Sequence, residues 1–171
     1  MRIAEPFPSC GATITRTEWD FRRRESVSEN GLVAIAVGEH GDRSNTQLLW
    51  RNKKIHANYS TISPLLYNDV LYVVKAGGIM TTLNPATGET YKVGRLGNAL
   101  GEYFSSPVAA DGKVYFTNLE GVITVVKAQP QWEVIASNDL GEQTQATPAL
   151  ADGHLYIRTH KALYSFSARP K

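Results

Sequence analysis

One unit of sequence occurs three times in this chain, in nearly constant phase. Each copy begins at a proline, and these prolines, Pro64, Pro107 and Pro148, stand 43 and 41 residues apart. A turn pair follows each proline after four and five residues, a tyrosine after eight, and a second turn after fourteen. Self-similarity with a period of roughly 20–50 residues is typical of solenoids and propellers. The repeat therefore restricts the fold more than any other feature of the sequence.

The unit has the composition of short β-strands separated by tight turns. Val, Ile, Tyr, Phe and Thr dominate the runs between the turns, which favours strands. Asn-Asp and Asp-Gly pairs favour two-residue hairpins because both positions tolerate positive φ. The second turns are predicted at Gly78, Gly121 and Ala162. An aromatic residue at intervals of 41 marks a fourth strand, at Trp50, Tyr91 and Trp132. Each unit is thus predicted to be a four-stranded antiparallel meander, the blade of a propeller.

We predict an all-β protein, a partial or small β-propeller of about four blades. Residues 1–30 form a divergent N-terminal segment, and residues 31–171 form the blades. The predicted blades are 31–51 (partial), 63–93, 106–135 and 147–168, the last of which lacks its fourth strand.

The missing strand leaves two alternatives open. Either residues 13–21, which alternate in polarity, supply a closing strand, or that strand belonged to upstream chain. A four-bladed ring and the C-terminal part of a larger propeller both remain compatible with the sequence. The larger propeller would leave an open edge, which favours a homo-oligomer.

Charge and hydropathy exclude several classes of partner. The net charge is +2 for 171 residues, so no overall field favours nucleic acid. The basic run at residues 22–24 is expected to be a solvated segment. No apolar stretch reaches the roughly 20 residues of a membrane span. The first residues lack the apolar core of a signal peptide. A single cysteine, Cys10, excludes an intramolecular disulfide and leaves the compartment unknown.

No catalytic or metal-binding motif stands out. The sequence has no phosphate-binding loop, no zinc-protease helix and no nucleophile elbow. Asp69, Asp111 and Asp152 are expected to form hairpin turns, and Trp50 and Trp132 to pack between blades. We therefore expect no cofactor and no metal ligand, and catalytic residues are not assigned.

Three stretches carry a family resemblance: residues 83–89, 106–116 and 146–159. They resemble the pyrroloquinoline-quinone-like β-propeller repeat family, which includes the outer-membrane assembly lipoprotein propellers. The resemblance covers residues 30–168 and is to the C-terminal part of such a propeller. It implies a periplasmic or secreted protein. The quinoprotein dehydrogenases of this superfamily carry an adjacent cysteine pair and a Ca²⁺ site, and this chain has neither the pair nor an evident Ca²⁺ spacing.

Two functions follow as expectations. The first is a non-catalytic scaffold that binds a protein or a small ligand. The alternative is a fragment of a quinoprotein-type oxidoreductase that binds a quinone in the propeller channel. In either case the segments that enter the first strands should converge at one end of the blades, where loops on a rigid scaffold often carry function. The candidate binding residues in these segments are His56, Tyr59, Tyr103, Phe104 and Gln145.

Overall fold

A computed structural model describes residues 12–15, 31–36, 47–55 and 62–167. The chain forms two compact units, residues 1–56 and residues 57–171. Regular structure in the described residues consists of antiparallel strands and one short 3-10 turn at Ala76–Gly78. The predicted all-β class is confirmed.

The described residues of the first unit form one sheet with strands in sequence order: β1 (Ala12–Thr15), β2 (Leu32–Ala36) and β3 (Gln47–Asn52). Trp50 lies opposite Ala34, and both are buried. β1 includes the start of the predicted strand at residues 13–21 and pairs with β2. The closing role proposed for residues 13–21 stays a prediction.

Residues 62–167 of the second unit form three sheets, each a meander with its strands in sequence order. The second sheet consists of β4 (Leu65–Tyr67), β5 (Val70–Lys75), β6 (Ile79–Leu83) and β7 (Thr90–Arg95). The third sheet consists of β8 (Val108–Ala110), β9 (Lys113–Thr117), β10 (Val122–Lys127) and β11 (Val134–Asp139). The fourth sheet consists of β12 (Ala149–Ala151), β13 (His154–Arg158) and β14 (Leu163–Ser167).

The hairpin between the first two strands of each of these sheets has the predicted two-residue turn. Both central residues have positive φ in every case, with Asp111 at 49° and Gly112 at 68° as the middle example. Such turns match the twist of the flanking strands, and they require residues that tolerate the left-handed region. The aspartates at these positions are therefore turn residues, as predicted.

The second turn is one residue shorter in the fourth sheet than in the third. Thr117 pairs with Ile123 across the turn of the third sheet, whereas Arg158 pairs with Leu163 in the fourth. Leu163 therefore occupies the place of Ile123, and the prediction that placed Ala162 at the position of Gly121 is wrong by one residue.

The main core of the second unit lies between the second and third sheets. Tyr72 and Met80 from the second sheet meet Val114, Phe116 and Val126 from the third. These residues alternate along their strands because successive side chains of a strand point to opposite faces. Packing between neighbouring sheets in this way is the blade-on-blade arrangement that the repeat predicts.

Candidate functional site: a rim of interblade linkers

The entries to the first strands of the second unit are joined by hydrogen bonds. A hydroxyl residue precedes each repeat proline, at Ser63, Ser106 and Thr147. Ser106 Oγ accepts from the amide of Ser63 at 3.1 Å, and Thr147 Oγ1 accepts from the amide of Ser106 at 3.0 Å. Ser105 Oγ also donates to the carbonyl of Ala146 at 2.8 Å. The three entries therefore run side by side, as the propeller repeat predicts.

Two linkers, residues 96–107 and residues 140–148, lead into the entries at Ser106 and Thr147. Each is tied to a turn of the sheet that follows it. The amide of Leu119 donates to the carbonyl of Glu102 at 2.8 Å, and the amide of His160 donates to the carbonyl of Gln143 at 3.0 Å. We call these two linkers, together with the turns at residues 118–121 and 159–162, the rim.

A buried side chain with a bonded hydroxyl anchors each linker four residues before the proline. Tyr103 is 3% exposed and donates through its hydroxyl to the carbonyl of Ala99 at 2.7 Å. Thr144 is 1% exposed and donates to the carbonyl of Arg158 at 2.6 Å. Burial, and to a lesser extent the nearby Glu120 carboxylate, raises the pKa of Tyr103. Tyr103 is thus neutral and serves as a packing anchor.

The next position along each linker faces solvent. Phe104 is 41% exposed, and Gln145 at the equivalent place in the following linker is also exposed. Leu100 adds a second apolar side chain that is 55% exposed. Asn118, itself buried, holds this part of the linker by donating to the carbonyl of Leu100 at 2.7 Å. The rim therefore presents apolar side chains on a backbone fixed by hydrogen bonds.

Glu142 fastens the second linker to the fourth sheet. Its carboxylate accepts from Thr159 Oγ1 at 2.6 Å and from the Tyr164 hydroxyl at 3.0 Å. The bond from Thr159, assisted by Tyr164 and Lys161, lowers the pKa of Glu142, although desolvation opposes the shift. The same carboxylate raises the pKa of Tyr164, first through the hydrogen bond. Glu142 is therefore ionised at neutral pH.

Two acidic side chains belong to the part of the rim that carries the exposed apolar side chains. Glu102 and Glu120 are both exposed on the rim, in the first linker and in the turn that it contacts. Glu120 lies against Gly101, where a Cβ atom would collide with its carboxylate. The arrangement suits a contact surface that combines apolar and negatively charged groups.

The structure describes three of the five predicted binding residues. Phe104 and Gln145 share one position in successive linkers and are exposed, whereas Tyr103 is buried and anchors its linker. His56 and Tyr59 lie outside the described residues. The sequence did not single out Leu100 or Glu142. Only their position in the linkers could have indicated a role in binding, because neither residue stands at a position that recurs in the repeat.

Within the part of the chain that the structure describes, no group of three or more His, Cys, Asp or Glu residues is arranged to hold a metal ion. The same residues include no helix that is long and apolar enough to cross a membrane.

Four-stranded repeated blades and an irregular rim define a repeat protein of the β-propeller class. A family model described as outer membrane protein assembly factor BamB matches residues 23–169. The chain therefore belongs to the BamB family. This agrees with the resemblance seen in residues 83–89, 106–116 and 146–159.

The matches to individual relatives extend over only part of each relative's length. The chain is 32% identical over 101 residues to the outer membrane protein assembly factor BamB of Shewanella oneidensis, which is 56% of this chain and 25% of that protein. The crystal structure of BamB from Moraxella catarrhalis superposes with a TM-score of 0.62 and 18% identity, covering 82% of this chain and 41% of that one. The latter shows a shared fold. The chain spans about a quarter of the length of the curated relative.

Proposed function

We propose that the protein is a non-catalytic scaffold that binds a protein partner through the rim. The main support is the pair of exposed apolar side chains, Phe104 and Leu100, on a linker that the buried side chains of Tyr103 and Asn118 hold in place. Preorganised loops lose little conformational entropy on binding, which favours affinity. Aromatic side chains, phenylalanine included, are enriched in protein interfaces relative to the rest of the surface.

The family name supports a more specific role. Relatives of this chain are called outer membrane protein assembly factors, and we propose that this protein acts in the same process, at a periplasmic or secreted location. The acidic groups of the rim, Glu102 and Glu120, favour a partner that offers basic side chains around an apolar one.

Site-specific photocrosslinking tests the rim directly. A photoreactive amino acid replaces Phe104 in one variant and Val93 in a control, and each is produced in the bacterial envelope. Val93 is 59% exposed on the outer strand β7 and does not belong to the rim. We expect a discrete protein adduct from position 104 and none from position 93, because only the rim contacts the partner.

The partner identified in the adduct is then purified, and its affinity for the wild type and for a Phe104 variant is measured. Phe104→Ala should weaken binding by about tenfold or more, while the free energy of unfolding stays within about 0.5 kcal/mol of the wild type. Equal crosslinking at both positions, or unchanged affinity of the variant, would contradict the rim as the binding surface. Stoichiometric binding of pyrroloquinoline quinone with dye-linked dehydrogenase activity would contradict the scaffold itself.

A further inference from the structure

Two Asp-Gly turns of the second unit share one conformation but differ in their contacts, first of all at the glycine amide. Asp111 and Asp152 both have φ of 49°, and both are exposed. The glycines that follow them have φ of 68° and 75°, and a Cβ atom at either glycine would meet nothing within 4 Å. The amide of Gly112 donates to the Tyr67 hydroxyl at 3.1 Å.

The difference at the glycine amide originates in one position of the repeat. Tyr67 stands three residues after its proline, at the end of β4, and reaches the turn of the following sheet. The equivalent residue of the third sheet, which would have to reach Gly153, is Ala110. A methyl group has no hydroxyl to offer, so the phenol contact is absent at the turn of the fourth sheet. Lys113 Nζ also donates to the carbonyl of Asp111, at 3.4 Å, and His154 stands at the corresponding place.

The contact bears on a reaction of Asp-Gly sequences. The amide nitrogen of the glycine attacks the aspartate Cγ, forming a C–N bond in a succinimide ring as the carboxyl oxygen leaves as water. Water then reopens the ring at either carbonyl, which gives aspartate or isoaspartate. No oxidant or other reactant is needed. The paired hairpin strands restrain the backbone on both sides of the Asp-Gly bond, so we expect ring closure to require local opening of the hairpin.

We propose that Asp152–Gly153 is a site of spontaneous isoaspartate formation and that the Tyr67 hydroxyl protects Asp111–Gly112 from the same modification. The bond to Tyr67 restrains the turn of the third sheet and occupies the attacking nitrogen. The turn of the fourth sheet opens more often and reacts faster.

Ageing of the intact chain at neutral pH and a non-denaturing temperature, followed by peptide mapping, measures isoaspartate at both turns in one sample. We expect conversion at Asp152 to be about fivefold faster, the equilibrium factor of one neutral hydrogen bond. Tyr67→Phe keeps the ring but removes the hydroxyl, and it should raise the rate at Asp111 while that at Asp152 is unchanged. Ala110→Tyr should lower the rate at Asp152.

The wild-type comparison and the two variants keep the proposal falsifiable even where one variant folds poorly. Equal rates at the two turns of the wild type would overturn it. So would a Tyr67→Phe protein, folded to the same thermal midpoint, whose Asp111 converts no faster than before. Because Lys113 is unchanged in that variant, its contact with Asp111 cannot account for a difference.

Discussion

At the scale of single residues, Tyr103 and Phe104 show how two neighbouring aromatic residues take opposite roles. Both were expected to form a contact surface, since the sequence offers no periodic pattern in the linker that separates an inward from an outward position. The structure buries Tyr103 and exposes Phe104. The equivalence of Phe104 and Gln145 followed from the spacing of their prolines, whereas the anchoring role of Tyr103 depends on the Ala99 carbonyl, which only the folded linker brings near.

Tyr103→Phe should lower the free energy of unfolding by about 1–2 kcal/mol, because it leaves the Ala99 carbonyl without its hydroxyl donor. Urea unfolding followed by tryptophan fluorescence measures the change. Phe104→Leu is the matched control, and it should remain within about 0.5 kcal/mol because the side chain is largely exposed. A Tyr103→Phe protein as stable as the wild type would show that the bond contributes nothing.

The raised pKa of Tyr72 predicts that the free energy of unfolding falls in alkali. Burial, assisted by Tyr67, raises the pKa of Tyr72 from 10.0 to about 12, and its hydroxyl has no hydrogen-bond partner among the described residues. The raised pKa means that the unfolded chain loses this proton first, so the stabilisation is full below pH 10 and is lost as the pH rises towards 12. Unfolding free energies measured across that window should fall less steeply for Tyr72→Phe. An identical slope would show that Tyr72 titrates alike in both states.

At the scale of the elements, the hairpins and strands followed from local chemistry, and the length of the second turn did not. Asp-Gly and β-branched runs carry their own preferences for turn and strand. The length of the second turn instead depends on the hydrogen bonds between Thr159 and Ala162. Counting fourteen residues from the proline assumes the same turn length in the third and fourth sheets and therefore misses the difference. The absence of glycine at Ala162 was the one hint of the difference. The strands β3, β7 and β11 each carry a register shift against the neighbouring strand, a device that hinders edge-to-edge pairing.

Two glycines with positive φ should respond differently to alanine. At Gly121 a Cβ atom would overlap the Glu142 carbonyl, whereas at Gly112 it would meet nothing within 4 Å. Gly112→Ala should cost about 1 kcal/mol of unfolding free energy for the left-handed backbone alone. Gly121→Ala should cost at least about 1 kcal/mol more, because the second linker must move away from the turn. Thermal unfolding of both variants tests the order, and a smaller loss at Gly121 would contradict the close contact.

At the scale of the second unit, Trp132 joins two sheets. Its ring lies on Gly94, where a Cβ atom would be 3.0 Å from the indole. Lys92 Nζ stands 4.5 Å from the ring centroid and donates to the Trp132 carbonyl at 2.6 Å. Thr82 Oγ1 adds a bond to the Pro130 carbonyl at 2.7 Å. The sequence predicted packing between blades for this tryptophan, and the structure shows it, but the lysine and the glycine that receive it were not predicted.

Neighbouring units of a repeat protein are stabilised largely by the interfaces between them. Trp132→Ala removes the ring from such an interface and should lower the free energy of unfolding by about 3–5 kcal/mol. Because the indole contacts β7 as well as its own sheet, hydrogen exchange should show loss of protection in β6 and β7 together with β10 and β11. Arg95 also lies in β7, but its side chain is exposed. Arg95→Ala is therefore the control and should leave protection in the third sheet unchanged. Loss confined to β10 and β11 would mean that the two sheets are stable independently, and that Trp132 stabilises only the blade to which it belongs.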